Sequence, residues 1–252
     1  QIIKGFSEEN PLSALVFPGQ GSQWSGMGAT LYHSEPVFKR AIDACEQAFA
    51  PYVNWKLTDE LFSLSGMQSI DIIQPALVAI EIALAEWWLS NGLVADGVIG
   101  HSMGEVAAAY ISGSISLDDA AKVICTRSQL MKQTSGNGAM AYLAIPPEDA
   151  QQYLEGKEHL LSLGVNNSPK SSVVSGDPIA INNIIAELEL KGVFARKVKV
   201  DVASHSPQMD PLLGSLYQSL QNITPHRGCI DFFSTVNACL FSGDNLDAAY
   251  WK

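Results

Sequence analysis

Positive charge is what this chain has least of. It carries 15 Lys+Arg against 26 Asp+Glu, a formal net charge of −11 with His neutral. A surface so negative repels phosphate backbones, which disfavours a general nucleic-acid role. Cysteine is also scarce: Cys45, Cys125, Cys229 and Cys239 lie far apart, with no C-x-x-C pair and no Cys/His cluster. That excludes a disulfide frame or a zinc site and predicts four buried, apolar thiols in a reducing compartment. Long apolar runs are missing as well. The most apolar segment, 75–89, includes Glu81 and Glu86 and is too short to span a bilayer. The N-terminus, Gln1-Ile2-Ile3-Lys4-Gly5, shows no basic region leading into an apolar stretch, so no secretion signal is visible. Charged residues are only 16% of the chain and hydrophobic ones 47%, which excludes disorder as a general description. A soluble, cytoplasmic globular protein with no membrane partner is expected, and 252 residues allow one large domain or one and a half.

Residues 1–11 read as a linker remnant. Ala14-Leu15-Val16-Phe17, stopped by Pro18-Gly19-Gln20-Gly21, suits a buried strand entering a tight loop. Helical spacing runs from Pro36 to Ala50 and again from Pro75 to Leu89. Gly97-Val98-Ile99 leads into Gly100-His101-Ser102-Met103-Gly104 and a helix-forming Glu105–Tyr110, the strand–turn–helix unit of a parallel α/β sheet. Asp118–Lys132 reads as a further helix. Strands at 140–145, 160–165, 171–175 and 194–200, with helices at 146–155 and 177–190, give the order βαββαβ of a ferredoxin-like module. The expected fold is α/β: a large subdomain with a parallel sheet over 12–136 and 201–252, and an inserted small subdomain over 137–200.

Gly100-His101-Ser102-Met103-Gly104 is a G-x-S-x-G sequence between a strand and a helix. A nucleophilic Ser on a sharp turn needs small neighbours, and the following helix aims its free N–H groups and positive dipole end at a developing oxyanion. The alternative is a Gly-rich turn with a solvent-facing Ser. Such a Ser needs a base. Among His33, His101, His159, His205 and His226, only His205 lies on a strand-end loop where the chain returns to the large subdomain. The Pro18–Gln23 loop can offer backbone N–H groups to an oxyanion, or be a plain turn; its spacing fits neither a Rossmann nor a P-loop pattern. Arg127 is either an ordinary surface arginine or, since the apolar Ala121–Cys125 before it leaves room for a buried position, a guanidinium suited to a carboxylate. Lys191, Arg196, Lys197 and Lys199 form either a docking face for an acidic partner or a solvated strand edge.

Taken together, Pro18-Gly19-Gln20-Gly21-Ser22-Gln23, Gln74-Pro75-Ala76, Gly100–Glu105, Arg127, Asn167-Ser168-Pro169 and Val202-Ala203-Ser204-His205-Ser206 stand in a familiar order. The chain resembles malonyl-CoA:acyl-carrier-protein transacylases and, more closely, the acyltransferase domain of a modular type I polyketide synthase, over about residues 12–252. The resemblance implies an α/β-hydrolase-like large subdomain with the ferredoxin-like small one. It implies Ser102 as the acylated nucleophile and His205 as its base, a Ser-His dyad aided by backbone carbonyls. It also implies an oxyanion hole from Gln20 and Met103, Arg127 for the substrate carboxylate, and Gln74 in the same pocket. Val202 and Ser204 would line that pocket too. Val202-Ala203-Ser204-His205 is closer to the family's Tyr-Ala-Ser-His signature for methylmalonyl than to His-Ala-Phe-His for malonyl. The expected substrates are malonyl-CoA or methylmalonyl-CoA, with no bound cofactor and phosphopantetheine carried by an acyl carrier protein within a multidomain synthase. A serine hydrolase or thioesterase, and a non-catalytic scaffold, are the alternatives.

Overall fold

A computed structural model describes residues 11–63 and 65–252. In chain order its elements are β1 (Ala14–Phe17), α1 (Ala29–Ser34), α2 (Pro36–Phe49), α3 (Leu57–Phe62), α4 (Ile70–Ser90), β2 (Gly97–Gly100) and α5 (Gly104–Ile111). Then come α6 (Leu117–Lys132), β3 (Ala139–Leu143), α7 (Pro147–Leu154), β4 (Leu161–Ser168), β5 (Ser171–Gly176) and α8 (Pro178–Leu190). The last are β6 (Ala195–Lys197), α9 (Asp210–Ser219), β7 (Asp231–Ser234) and β8 (Cys239–Phe241). The linker expected over 1–11 lies, except for Pro11, outside the described residues.

The chain forms two compact units. The first takes residues up to Met67, Ile73–Cys125 and Leu220–Trp251; the second takes Gln68–Ile72, Thr126–Ser219 and Lys252. This division differs from 12–136 with 201–252 and 137–200. Two of its boundaries fall inside α4 and α6, where no Pro- or Gly-rich stretch marks them.

In the first unit a sheet runs in the order β1-β2-β7-β8. β1, β2 and β7 are parallel, and β8 returns antiparallel to β7. Central β2 is covered on both faces, as a parallel strand between helices must be. β1 was expected to be buried, but it is the sheet edge: Val16 is 70% exposed and only Phe17 is in the core. α2 begins with Pro36 at its first position, where the missing N–H costs nothing, and buries Phe38, Ala41, Ile42, Cys45 and Phe49 at helical spacing. Two cysteines depart from expectation. Cys45 and Cys125 are buried, whereas Cys229 and Cys239 are exposed, the latter on edge strand β8.

Helix α4 corrects another expectation. It runs through Pro75 and starts at Ile70, so at 21 residues it is long and apolar enough to cross a membrane. Pro75 removes only the bond that its N–H would have made to Asp71. The helix is nevertheless a core element: Ala76, Val78, Ala79 and Ala83 are fully buried.

The second unit contains an antiparallel sheet in the order β4-β5-β3-β6. That order with two helices is the ferredoxin-like arrangement. Ala139, Ala141 and Leu143 of β3 pack with Val174 of β5 and with Ile181, Ile184 and Leu188 of α8. Asp177 caps α8 by accepting from the N–H groups of Ile179 and Ala180, with Pro178 at the first helical position. β6 is shorter than expected, because the chain turns away after Val198 donates its N–H to Met140.

Candidate active site

The G-x-S-x-G turn lies where β2 runs into α5. Ser102 has φ 54, one of three non-glycine residues with positive φ among the described residues; His205, at φ 58, is another. A side chain in this left-handed region is strained by about 1–3 kcal/mol and persists only when its surroundings hold it. The two glycines explain how the turn closes. A Cβ on Gly100 would lie 2.2 Å from the Glu105 nitrogen, and one on Gly104 would lie 2.4 Å from the Phe17 carbonyl oxygen. Neither neighbour is a side chain that can move aside. Met103 precedes α5 and is 2% exposed, and at that helix end the N–H groups of Gly104, Glu105 and Val106 donate to the His101, Ser102 and Met103 carbonyls in tight turns.

Strand register brings the early Gly-rich loop to the same end of the sheet. Phe17 pairs with Gly100, and the His101 N–H donates to the Phe17 carbonyl at 2.8 Å. The His101 ring is set against Gly19 at this junction. The Gln23 side chain accepts from the Gly21 N–H. Gln74, 4% exposed on α4, donates to the Gln20 side chain at 3.2 Å. Two residues singled out in separate segments thus meet within one unit.

The second unit holds the other candidates. His205 is exposed, as are His33, His101, His159 and His226, so exposure does not single it out; its backbone does. Serines pin its loop. Ser175 donates to the Ser204 carbonyl at 2.6 Å, Ser206 to the Ala203 carbonyl at 2.7 Å, and the Ser162 hydroxyl lies 3.4 Å from the His205 carbonyl. Ser204 is buried, and Val202 is wholly buried in a cluster with Ile70, Met131 and Met209. Arg127, on α6, is half-buried, and loss of solvent draws its pKa down to about 10. It is therefore still a cation at neutral pH. Arg196, Lys197 and Lys199 are exposed beside or on edge strand β6, whereas Lys191 is held by Glu187 at 2.8 Å.

Sequence reading assigned no role to Glu105. It is 4% exposed and accepts from Thr235 and Tyr250. The available signal was an acid in an otherwise apolar helix, Gly104–Ile111.

A family model described as "Acyl transferase domain" matches residues 14–252. The spectinabilin polyketide synthase system protein NorC of Streptomyces orinoci is 41% identical over 99% of the chain, which spans 11% of that protein. The acyltransferase domain from module 8 of the salinomycin polyketide synthase superposes with a TM-score of 0.91 at 40% identity, over 95% of this chain and 57% of that one. A loading acyltransferase from the avermectin modular polyketide synthase gives 0.92 at 39% identity, over 95% and 77%.

Proposed function

The chain belongs to the acyl transferase domain family, as an acyltransferase of the polyketide-synthase kind, and from that premise we propose a specific transfer. A malonyl-type extender acyl group moves from CoA to the phosphopantetheine thiol of an acyl carrier protein. His205 takes the Ser102 proton, the hydroxyl oxygen attacks the thioester carbonyl, and the N–H groups of Gln20 and Met103 hold the resulting oxyanion. The carbon–sulfur bond breaks, and the CoA thiol leaves with the proton from His205. The carrier thiol then gives its proton to His205 and attacks the acyl-serine ester, which returns the proton to Ser102. A thioester is activated enough to react without a carboxylate behind the histidine.

Arg127 pairs with the free carboxylate of the acyl group, and Gln74 is a further residue assigned to the acyl-group pocket. Charge-assisted bonds of this kind are worth about 1.5–3 kcal/mol each, which favours dicarboxylic acyl groups over acetyl or fatty acyl. Methylmalonyl is favoured over malonyl, because Ser204 in place of a Phe leaves space for an α-methyl. That margin is about 1–3 kcal/mol. Arg196, Lys197 and Lys199 offer the carrier protein a positive face on an otherwise acidic surface.

The observation that carries the reading is the strained Ser102 at a strand–helix junction whose glycines admit no side chain. Intact mass after mixing with methylmalonyl-CoA tests it. The expected result is a stable adduct on Ser102 that disappears when phosphopantetheinylated carrier protein is added. Free acid without an adduct would mark a hydrolase, and no reaction a scaffold. Competition between methylmalonyl-CoA and malonyl-CoA for Ser102 tests the selectivity.

A further inference from the structure

Glu105 ties three segments together. Its Oε1 accepts from the Thr235 N–H at 2.6 Å and lies 2.8 Å from the Thr235 hydroxyl, while Oε2 accepts from the Tyr250 hydroxyl at 3.0 Å. The Thr235 hydroxyl is also 3.0 Å from the Gly100 carbonyl. Tyr250 lies 2.8 Å from the Ser234 hydroxyl, which in turn accepts from the Asn237 N–H at 3.0 Å. Gly100 is the last residue of β2 and Glu105 the second of α5. One threonine just beyond β7 therefore contacts the chain on both sides of Ser102.

A buried carboxylate needs such donors, and an acid in a first helical turn also suits the helix dipole. Simple satisfaction, however, would not require Thr235 to reach Gly100. With both flanks held by one residue, the angle between β2 and α5 is set from outside the turn, and Ser102 is kept at φ 54 against its own preference.

We propose that Glu105 is a positioning residue: it clamps the β2–α5 bend to the end of β7 and so fixes where the Ser102 hydroxyl is presented. This rests on the acyl-Ser102 reading above. A displacement of one ångström at a reacting atom costs about 10²-fold in rate. The test is rapid-quench acylation by methylmalonyl-CoA in the full-length protein. Glu105→Ala is expected to lower the acylation rate constant by about 10²-fold with the KM for acyl-CoA unchanged. Glu105→Gln, which keeps an acceptor and the side chain's shape, is expected to recover most of the loss. Thr235→Val, which removes the hydroxyl but not the backbone donor, is expected to fall between the two and carries the test if Glu105→Ala does not fold.

Wild-type acylation rates in folded Glu105→Ala, or in Thr235→Val, would overturn the assignment. So would a change confined to KM, or a Gln variant no better than Ala. Failure of the underlying reading looks different: the wild-type protein itself would form no adduct on Ser102.

Discussion

Glu81 lies on α4 with 8% of its surface exposed, and its Oε2 has no hydrogen-bond partner among the described residues. Beside it is a cavity of about 250 Å³ lined by Leu15, Phe17, Leu77, Ile80, Leu84 and Trp88, apolar walls that do nothing for a negative charge. Burial pushes the carboxyl up from 4.5 to about 9. The sign of the linkage follows. Between those values the folded protein keeps a proton that the unfolded chain has lost, so stability must fall as pH rises. Each pKa unit is worth about 1.4 kcal/mol, so the penalty gained between pH 5 and pH 8 is about 3–4 kcal/mol. Glu81→Gln removes the titration while keeping the shape. Unfolding of both proteins by denaturant across that range should show wild type losing stability relative to Glu81→Gln by this amount, on the order of 10 °C in Tm. Other titrating groups are common to both proteins and cancel. Parallel pH profiles would refute the reasoning, because they would mean that the Glu81 charge is solvated in the folded state.

Two further outcomes are expected. Arg127→Ala should lower kcat/KM for methylmalonyl-CoA by about 10- to 100-fold, the loss of one charge-assisted bond, while sparing acetyl-CoA; unchanged selectivity in a competition assay would place carboxylate recognition elsewhere. Arg196→Glu combined with Lys197→Glu should raise the KM for carrier protein and leave the CoA half-reaction alone; equal losses in both half-reactions would discard docking on that edge.

The Ser102 turn was legible because its geometry is local. Gly100, Ser102 and Gly104 sit within five residues, and the need for bare backbone at both glycines is written in their identity. The βαββαβ order was readable for a similar reason: hydrophobic periodicity and the signals at Asp177-Pro178 and Pro146-Pro147 act over a few residues. Exposure of Val16 and Cys239 was not readable, since an edge strand and a central one can have the same composition. The start of α4 was missed because Pro75 is an ordinary place to begin a helix, and only packing of the turn before it kept Ile70–Gln74 helical.

Short-range order along the chain thus determined the elements, the strained serine turn and the residue types available for acyl transfer. Tertiary structure alone decided that Gln20 meets Gln74, that Thr235 reaches both Gly100 and Glu105, and that Glu81 Oε2 is left without a partner among the described residues. The physical reason is range. Backbone propensity and steric clash act between near neighbours, whereas hydrogen bonds and desolvation depend on which distant segments the sheet brings side by side.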